Sequence, residues 1–124
     1  MGVAGFVDIH CHVLHGLDDG PRHRDQTQAL IEVARSSGIA AIIATPHFSD
    51  HYPLDAGRRD RSVAAMDEAD TSSLLVFPGC ELELTDARLA EFFKTPRTFT
   101  LNRSRYALVE LPHSAGGASL ASGK

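Results

Sequence analysis

The sequence predicts an α/β fold in which about four parallel strands alternate with three helices. Three observations carry this expectation. Short apolar runs of strand length recur, separated by helix-length amphipathic stretches. The run at residues 39–44, Ile-Ala-Ala-Ile-Ile-Ala, is continuously apolar, as suits a parallel strand covered on both faces. It begins one residue after Gly38, which closes a helical stretch, so strand, helix and strand form a right-handed βαβ unit.

Residues 5–10 open the chain as a β-branched, alternating strand that ends in a polar cluster. Asp25 followed by Gln28 predicts the N-terminus of a helix over residues 25–37, with Leu30, Val33 and Ala34 as its apolar stripe. After strand 39–44, Thr45-Pro46-His47 ends the strand and a polar stretch through Gly57 reads as a long loop. Residues 61–69, carried by Val63, Met66 and several alanines, predict the second helix. Leu74-Leu-Val-Phe77 is a strand stopped by Pro78-Gly79, after which Cys80-Glu-Leu-Glu-Leu84 alternates again. Thr85 can cap a third helix through Lys94, with Leu89, Phe92 and Phe93 on its buried side. A turn at Asn102 leads into a fourth strand over residues 106–111. Residues 1–113 are therefore read as one domain. Residues 114–124 hold nine Ala, Gly or Ser, too little apolar surface to offset ordering entropy, and read as a flexible tail.

Composition removes several function classes. With 12 Lys and Arg against 16 Asp and Glu the net charge is −4, which argues against a basic nucleic-acid surface. The longest apolar run is far too short for membrane insertion. Residues 1–8 have no basic flank and reach an acid at Asp8, so they do not read as a signal peptide, and a cytoplasmic location is expected. Two cysteines are too few for a disulfide framework and read as reduced packing thiols. Neither heads a phosphate loop of the cysteine-phosphatase kind. The position six residues on is Leu17 after Cys11 and Asp86 after Cys80, where an arginine is needed. No G-x-S-x-G elbow, Walker A loop or G-x-G-x-x-G occurs.

Histidine is the distinctive residue: six of the seven lie within the first 51 positions. In His10-Cys11-His12, strand alternation aims both imidazoles to one side, where they can share a metal ion while Cys11 faces away. Two ordinary polar residues at a strand end is the plainer alternative. Asp18-Asp19, His47, Glu81 and Glu110 each fall at or just past the C-terminal end of a predicted strand, the rim where parallel β/α folds collect ligands. Taken singly each is readable as a solvated polar residue, and that reading stays open for Asp18, Glu83 and His51. Imidazole with carboxylate and no thiolate suits divalent manganese, zinc or iron. Such ions activate water and clamp phosphate oxygens, giving hydrolysis without a covalent enzyme intermediate.

Asp8-Ile-His10-Cys-His12, Gly16-Leu-Asp-Asp-Gly-Pro21, Ala44-Thr-Pro-His47, Gly79-Cys-Glu81 and Ser104-Arg-Tyr-Ala-Leu-Val-Glu110 resemble, in this order, the PHP-type (polymerase and histidinol phosphatase superfamily) protein-tyrosine phosphatases of bacterial capsule and exopolysaccharide clusters. The resemblance runs from about residue 7 to 112 and matches the N-terminal half of that family's domain. It implies a partial (β/α) TIM-like PHP barrel, up to three metal ions with manganese foremost, and dephosphorylation of the tyrosine-phosphorylated bacterial tyrosine kinase that drives polysaccharide export. His10 and His12 would bind one ion, Glu81 would bridge, Glu110 would share that cluster, Asp19 and His47 would serve a further ion, and Asp8 would lend support from outside. No side chain is assigned as the catalytic group, since metal-activated hydroxide is the expected nucleophile.

The family also carries an H-x-E-R segment after the fourth strand and a later D-x-H segment. Neither occurs here, and His113 lies too close to Glu110 to replace the missing histidine. An impaired phosphatase, with self-association through open sheet edges, is therefore expected of these 124 residues. The alternatives are a non-catalytic metal-binding chain and a phosphatase of small molecules resembling histidinol phosphatase.

Overall fold

The computed structural model describes residues 5–69 and 74–112. His113 and the expected tail at 114–124 lie outside these described residues. Along the chain run β1 (Phe6–Cys11), α1 (Arg24–Ser36), β2 (Ile39–Ala44), β3 (His47–Phe48), α2 (Ala56–Ala69), β4 (Leu75–Pro78), β5 (Glu81–Glu83), α3 (Asp86–Lys94), α4 (Pro96–Phe99), a 3-10 turn (Leu101–Arg103) and β6 (Leu108–Glu110). The strands pair in parallel throughout, in the orders β1-β2-β4 and β3-β5-β6. This is the expected parallel α/β architecture, with six short strands among the described residues in place of about four and four helices in place of three.

The extra strands have a covalent cause. Pro46 has no N–H to donate to a ladder, so the second strand breaks at Thr45-Pro46 and resumes as β3 inside what the sequence predicts as loop. A matching break at Gly79-Cys80 separates β4 from β5. The two breaks lie side by side, because the Glu81 N–H donates to the Pro46 carbonyl at 2.9 Å. Beyond them β3 pairs with β5 and sets His47 opposite Glu81.

Particular hydrogen bonds explain the other differences. Helix α1 starts at Arg24, with its cap at His23, two residues before the predicted one: the side-chain carbonyl of Gln26 accepts from the backbone N–H groups of Arg22 and His23 at 2.7 and 3.1 Å, taking the role expected of Asp25 and Gln28. Its buried face is also rotated from the predicted stripe. The Thr27 hydroxyl donates to the Val13 carbonyl at 2.6 Å, which turns Thr27 and Ile31 inward and leaves Leu30 and Val33 on the surface. Helix α2 begins at Ala56 rather than at residue 61, because the Asp55 carboxylate accepts the Arg58 N–H and starts the helix earlier despite Gly57. In α3 the Thr85 hydroxyl accepts from the Arg88 N–H, as predicted. Leu89 and Phe92 pack inward, whereas Phe93 is exposed, contrary to expectation. Gly38 follows the last turn of α1, and Asn102 adopts a left-handed turn conformation, both where expected.

Two apolar clusters hold the elements. One, including Val13, Ile31, Ile42, Val63, Met66 and Val76, fills the space between the first sheet and helices α1 and α2. The other joins Phe48, Cys80, Leu82 and Phe99, with Leu89 and Phe92 against it. Among the described residues no helix is long and apolar enough to cross a membrane.

Candidate metal centre

The site grows from the C-terminal end of β1. Cys11 and Thr45 tie β1 to β2 beyond the ladder: the Cys11 N–H donates to Thr45 Oγ1 at 2.9 Å, and the Thr45 N–H donates to the Cys11 carbonyl at 2.9 Å. Thr45 is fully buried, so these bonds act as a clamp shielded from water. His10 and His12 flank the clamp and point to one side, while Cys11 turns to the apolar cluster.

Three imidazoles converge on one oxygen. Glu81 Oε1 lies 3.1 Å from His10 Nε2, 2.9 Å from His12 Nε2 and 3.6 Å from His47 Nδ1. His47 Nδ1 also lies 3.2 Å from Glu110 Oε1, and its Nε2 lies 3.4 Å from Asp19 Oδ1. Three overlapping groups of ligand-type atoms result: His10, His12 and Glu81; His47, Glu81 and Glu110; and His12, Asp18, Asp19 and His47. Within each group the atoms lie no more than 4.8 Å apart. Ligand atoms around one ion at the usual bond lengths of about 2.0–2.2 Å stand this close together. The shared His12, His47 and Glu81 make the groups contiguous. Imidazole and carboxylate donors without thiolate fit divalent first-row ions, as this donor set predicts.

All six residues singled out as ligands, His10, His12, Asp19, His47, Glu81 and Glu110, thus stand together. Asp8 stands apart from them. Its Oδ1 accepts from the His10 backbone N–H at 3.0 Å, a bond that shapes the strand end and touches no imidazole.

Asp18, for which a solvated role stayed open, has a side chain with no exposure. Its Oδ2 lies 2.9 Å from His12 Nδ1 and accepts the His47 N–H at 2.9 Å, and its Oδ1 accepts the Gly20 N–H at 2.9 Å. Burial alone would raise its pKa, yet the bonds from His12, His47 and Gly20 bring it below the ordinary value. The Asp18 hydrogen bond in turn holds His12 above the usual imidazole range, against the effect of burial. Asp18 therefore orients His12 and leaves Nε2 toward Glu81. The doubled acid in Asp18-Asp19-Gly20 was its signal, but only the fold shows which acid turns inward.

Tyr52 carried no sequence signal. Its ring stacks on His47 at 5.7 Å between centroids and 19° between planes. Glu83 and His51 stand outside the cluster: Glu83 Oε1 accepts from the Asp50 N–H at 3.4 Å, and His51 packs edge-on against Tyr52. Burial pushes the Cys11 thiol up to about 11 and the Cys80 thiol up to about 12, so both are protonated near neutral pH.

Comparison with known proteins agrees with this geometry. Residues 6–122 match the family described as "Capsular polysaccharide synthesis, CpsB/CapC". The putative tyrosine-protein phosphatase CapC of Staphylococcus aureus is 32% identical over 111 residues, covering 86% of this chain and 43% of that protein. Tyrosine-protein phosphatase YwqE of Bacillus subtilis (strain 168) is 30% identical over 116 residues, with 86% and 43% covered. A chain from "Crystal structures of YwqE from Bacillus subtilis and CpsB from Streptococcus pneumoniae, unique metal-dependent tyrosine phosphatases" superimposes with a TM-score of 0.69 at 30% identity, over 86% of this chain and 44% of that one. The chain thus spans less than half the length of the relatives it matches. Because the match runs through nearly every described element and the superposition shares the same fold, this chain belongs to the CpsB/CapC family.

Proposed function

We propose that this chain carries the first part of the metal site of a phosphomonoester hydrolase acting on protein phosphotyrosine in capsule or exopolysaccharide synthesis. The observation that supports it most is the single carboxylate oxygen of Glu81 within 3.6 Å of three imidazoles, with Glu110 and Asp19 beside the third. The relatives' names supply the substrate class, and a tyrosine-phosphorylated bacterial tyrosine kinase is the proposed partner. His10, His12, Asp19, His47, Glu81 and Glu110 are proposed ligands, with manganese first and zinc or iron next. Bound ions of this kind supply Lewis acidity to water and to phosphoryl oxygens.

The chain's own residues do the positioning. Glu81 draws the three imidazoles to one point, Asp18 fixes the His12 tautomer, and Tyr52 backs His47. The two sheets are proposed as an arc of a TIM-like barrel, and the cytoplasm as the protein's compartment. A protonated thiol at Cys11 or Cys80 is a poor nucleophile, consistent with direct hydrolysis.

The decisive experiment measures metal content and phosphotyrosine-peptide turnover on one monodisperse sample with added manganese. Metal uptake with turnover far below that of a full-length relative is expected, and His10→Ala/His12→Ala should lose both. Unchanged metal content in that double variant would overturn the ligand assignment. Metal without turnover would favour the non-catalytic binding reading, and preference for a small phosphomonoester over the peptide would favour a histidinol-phosphatase-like activity.

A further inference from the structure

A second cavity, of about 310 Å³, opens between α1 and α2 and is lined by none of the proposed metal ligands. Its charged wall is made by Arg24 from α1 and by Arg58 and Arg61 from α2, with His15 nearby, and no acidic residue lines it. Met66 is buried at its base and the Thr27 hydroxyl is turned away toward Val13, while Gln28, Ser62 and the exposed Ala65 complete the lining.

All three arginines are exposed, and two features bear on what they can bind. None of the three forms a salt bridge among the described residues, although the chain carries more acids than bases. They also stand where helix electrostatics disfavour cations. Arg24 is the first residue of α1, beside Asp25 in the same turn, while Arg58 and Arg61 lie in the first two turns of α2, whose first turn holds no acid although Asp55 precedes it. The positive end of a helix macrodipole repels such groups, and an arriving anion reverses the sign of that interaction. Local rules are broken in this way mainly at functional positions. Arg58 is further directed by Gly16, whose left-handed backbone (φ 73°) carries no Cβ; one there would stand 3.0 Å from Arg58 Nη2.

We propose that this cavity binds a phosphorylated aromatic side chain, a second phosphotyrosine of the polypeptide substrate, held apart from the one at the metal centre. Guanidinium groups pair with phosphate oxygens through charge-assisted, two-pronged hydrogen bonds. The ring would lie on the Met66 floor, where thioether and aromatic surfaces attract. A volume near 300 Å³ is the lower end of ordinary ligand pockets and suits one side chain better than a bare ion. The identity of the substrate rests on the hydrolase reading above, whereas the anion pocket itself does not.

The test is calorimetric titration of the 124-residue chain, stripped of metal by a chelator and desalted so that nothing is hydrolysed. The titrants are a phosphotyrosine peptide, its unphosphorylated counterpart and inorganic phosphate. One phosphopeptide should bind per chain, about tenfold or more tighter than either comparison ligand. Arg58→Gln/Arg61→Gln should weaken it about tenfold, and Arg58→Lys/Arg61→Lys should keep part of the affinity because charge survives without the fork. Should circular dichroism show that the Gln pair unfolds α2, Arg24→Gln alone must weaken binding. Equal affinity for phosphate and phosphopeptide, or binding indifferent to these arginines, would overturn the proposal. Arg-dependent binding by a protein that takes up no metal and turns nothing over would remove the hydrolase reading and leave the pocket. Turnover without Arg-dependent binding would do the reverse.

Discussion

At the scale of single residues, the Asp18–His12 pair shows how a neighbour sets the chemistry of a ligand. Asp18 lies below its ordinary pKa of 3.8 and His12 above its ordinary 6.5. The stability from Asp18 is complete above 3.8 and is lost as pH falls through its lowered value. The stability from His12 is complete below 6.5 and is lost as pH rises through its raised value. In metal-free protein the stability difference between wild type and Asp18→Asn should therefore be largest between pH 3.8 and 6.5 and shrink on either side. Denaturant midpoints measured across that range check it, and a flat difference would contradict the pairing. With metal present, Asp18→Asn should weaken metal affinity by about 10–100-fold through loss of His12 orientation, read by competition with a chromogenic chelator. The thiols give a separate check. With pKa values of about 11 and 12, Cys11 and Cys80 should alkylate slowly at pH 8, with rates rising about tenfold per pH unit in folded protein. Rapid modification of either at pH 7 would show a thiolate that this fold does not support.

At the scale of elements, the site depends on two strand breaks lying in register. Arg59 of α2, almost wholly buried, donates from Nη1 to the Gly79 carbonyl at 3.1 Å and so anchors α2 to the break that presents Glu81. Replacing it by Met leaves that carbonyl without its charged donor and should cost about 1.5–3 kcal/mol. Gly79 admits no side chain. A Cβ there would come within 2.8 Å of Ile43 Cγ2, so Gly79→Ala should destabilise the fold and lower metal uptake together by shifting Glu81. Thr45→Val keeps the shape but removes the acceptor of the Cys11 N–H, and should cost about 1–3 kcal/mol. Urea midpoints for the three variants measure these losses. Arg59→Met at wild-type stability would show that α2 does not hold the break.

At the scale of the whole molecule, β1 is an outer strand of its sheet and exposes Phe6, Val7 and Ile9 at 74%, 59% and 52%. An apolar edge strand of this kind pairs readily with another chain. The 124-residue protein should associate with rising concentration, and Ile9→Lys should move it toward monomer in sedimentation velocity. Concentration-independent monomer for wild type would count against the open edge. A proposed arc of a barrel would carry such an edge, since closure is what hides it in barrels of about 250 residues.

Apolar periodicity, proline and glycine punctuation and His-x-His alternation by themselves determined the parallel α/β class and the order of the main elements, and put His10, His12, the Asp18-Asp19 pair, His47, Glu81 and Glu110 at strand ends, whereas the choice of six ligands among them came from the family resemblance. These signals are local, and strand alternation is a property of the backbone that survives any packing. Which of two adjacent acids turns inward and which flank of α1 is buried depended instead on partners distant in sequence. Asp18 is committed by the His47 N–H, 29 residues away, and Thr27 by the Val13 carbonyl, 14 residues away. The convergence of three imidazoles on Glu81 is likewise tertiary, because 69 residues separate His12 from Glu81, and the bonds across Thr45 and Pro46 at the strand breaks bring them to 2.9 Å. Hydrophobic pattern chooses the element, but a buried polar group must find its partner wherever the fold places one.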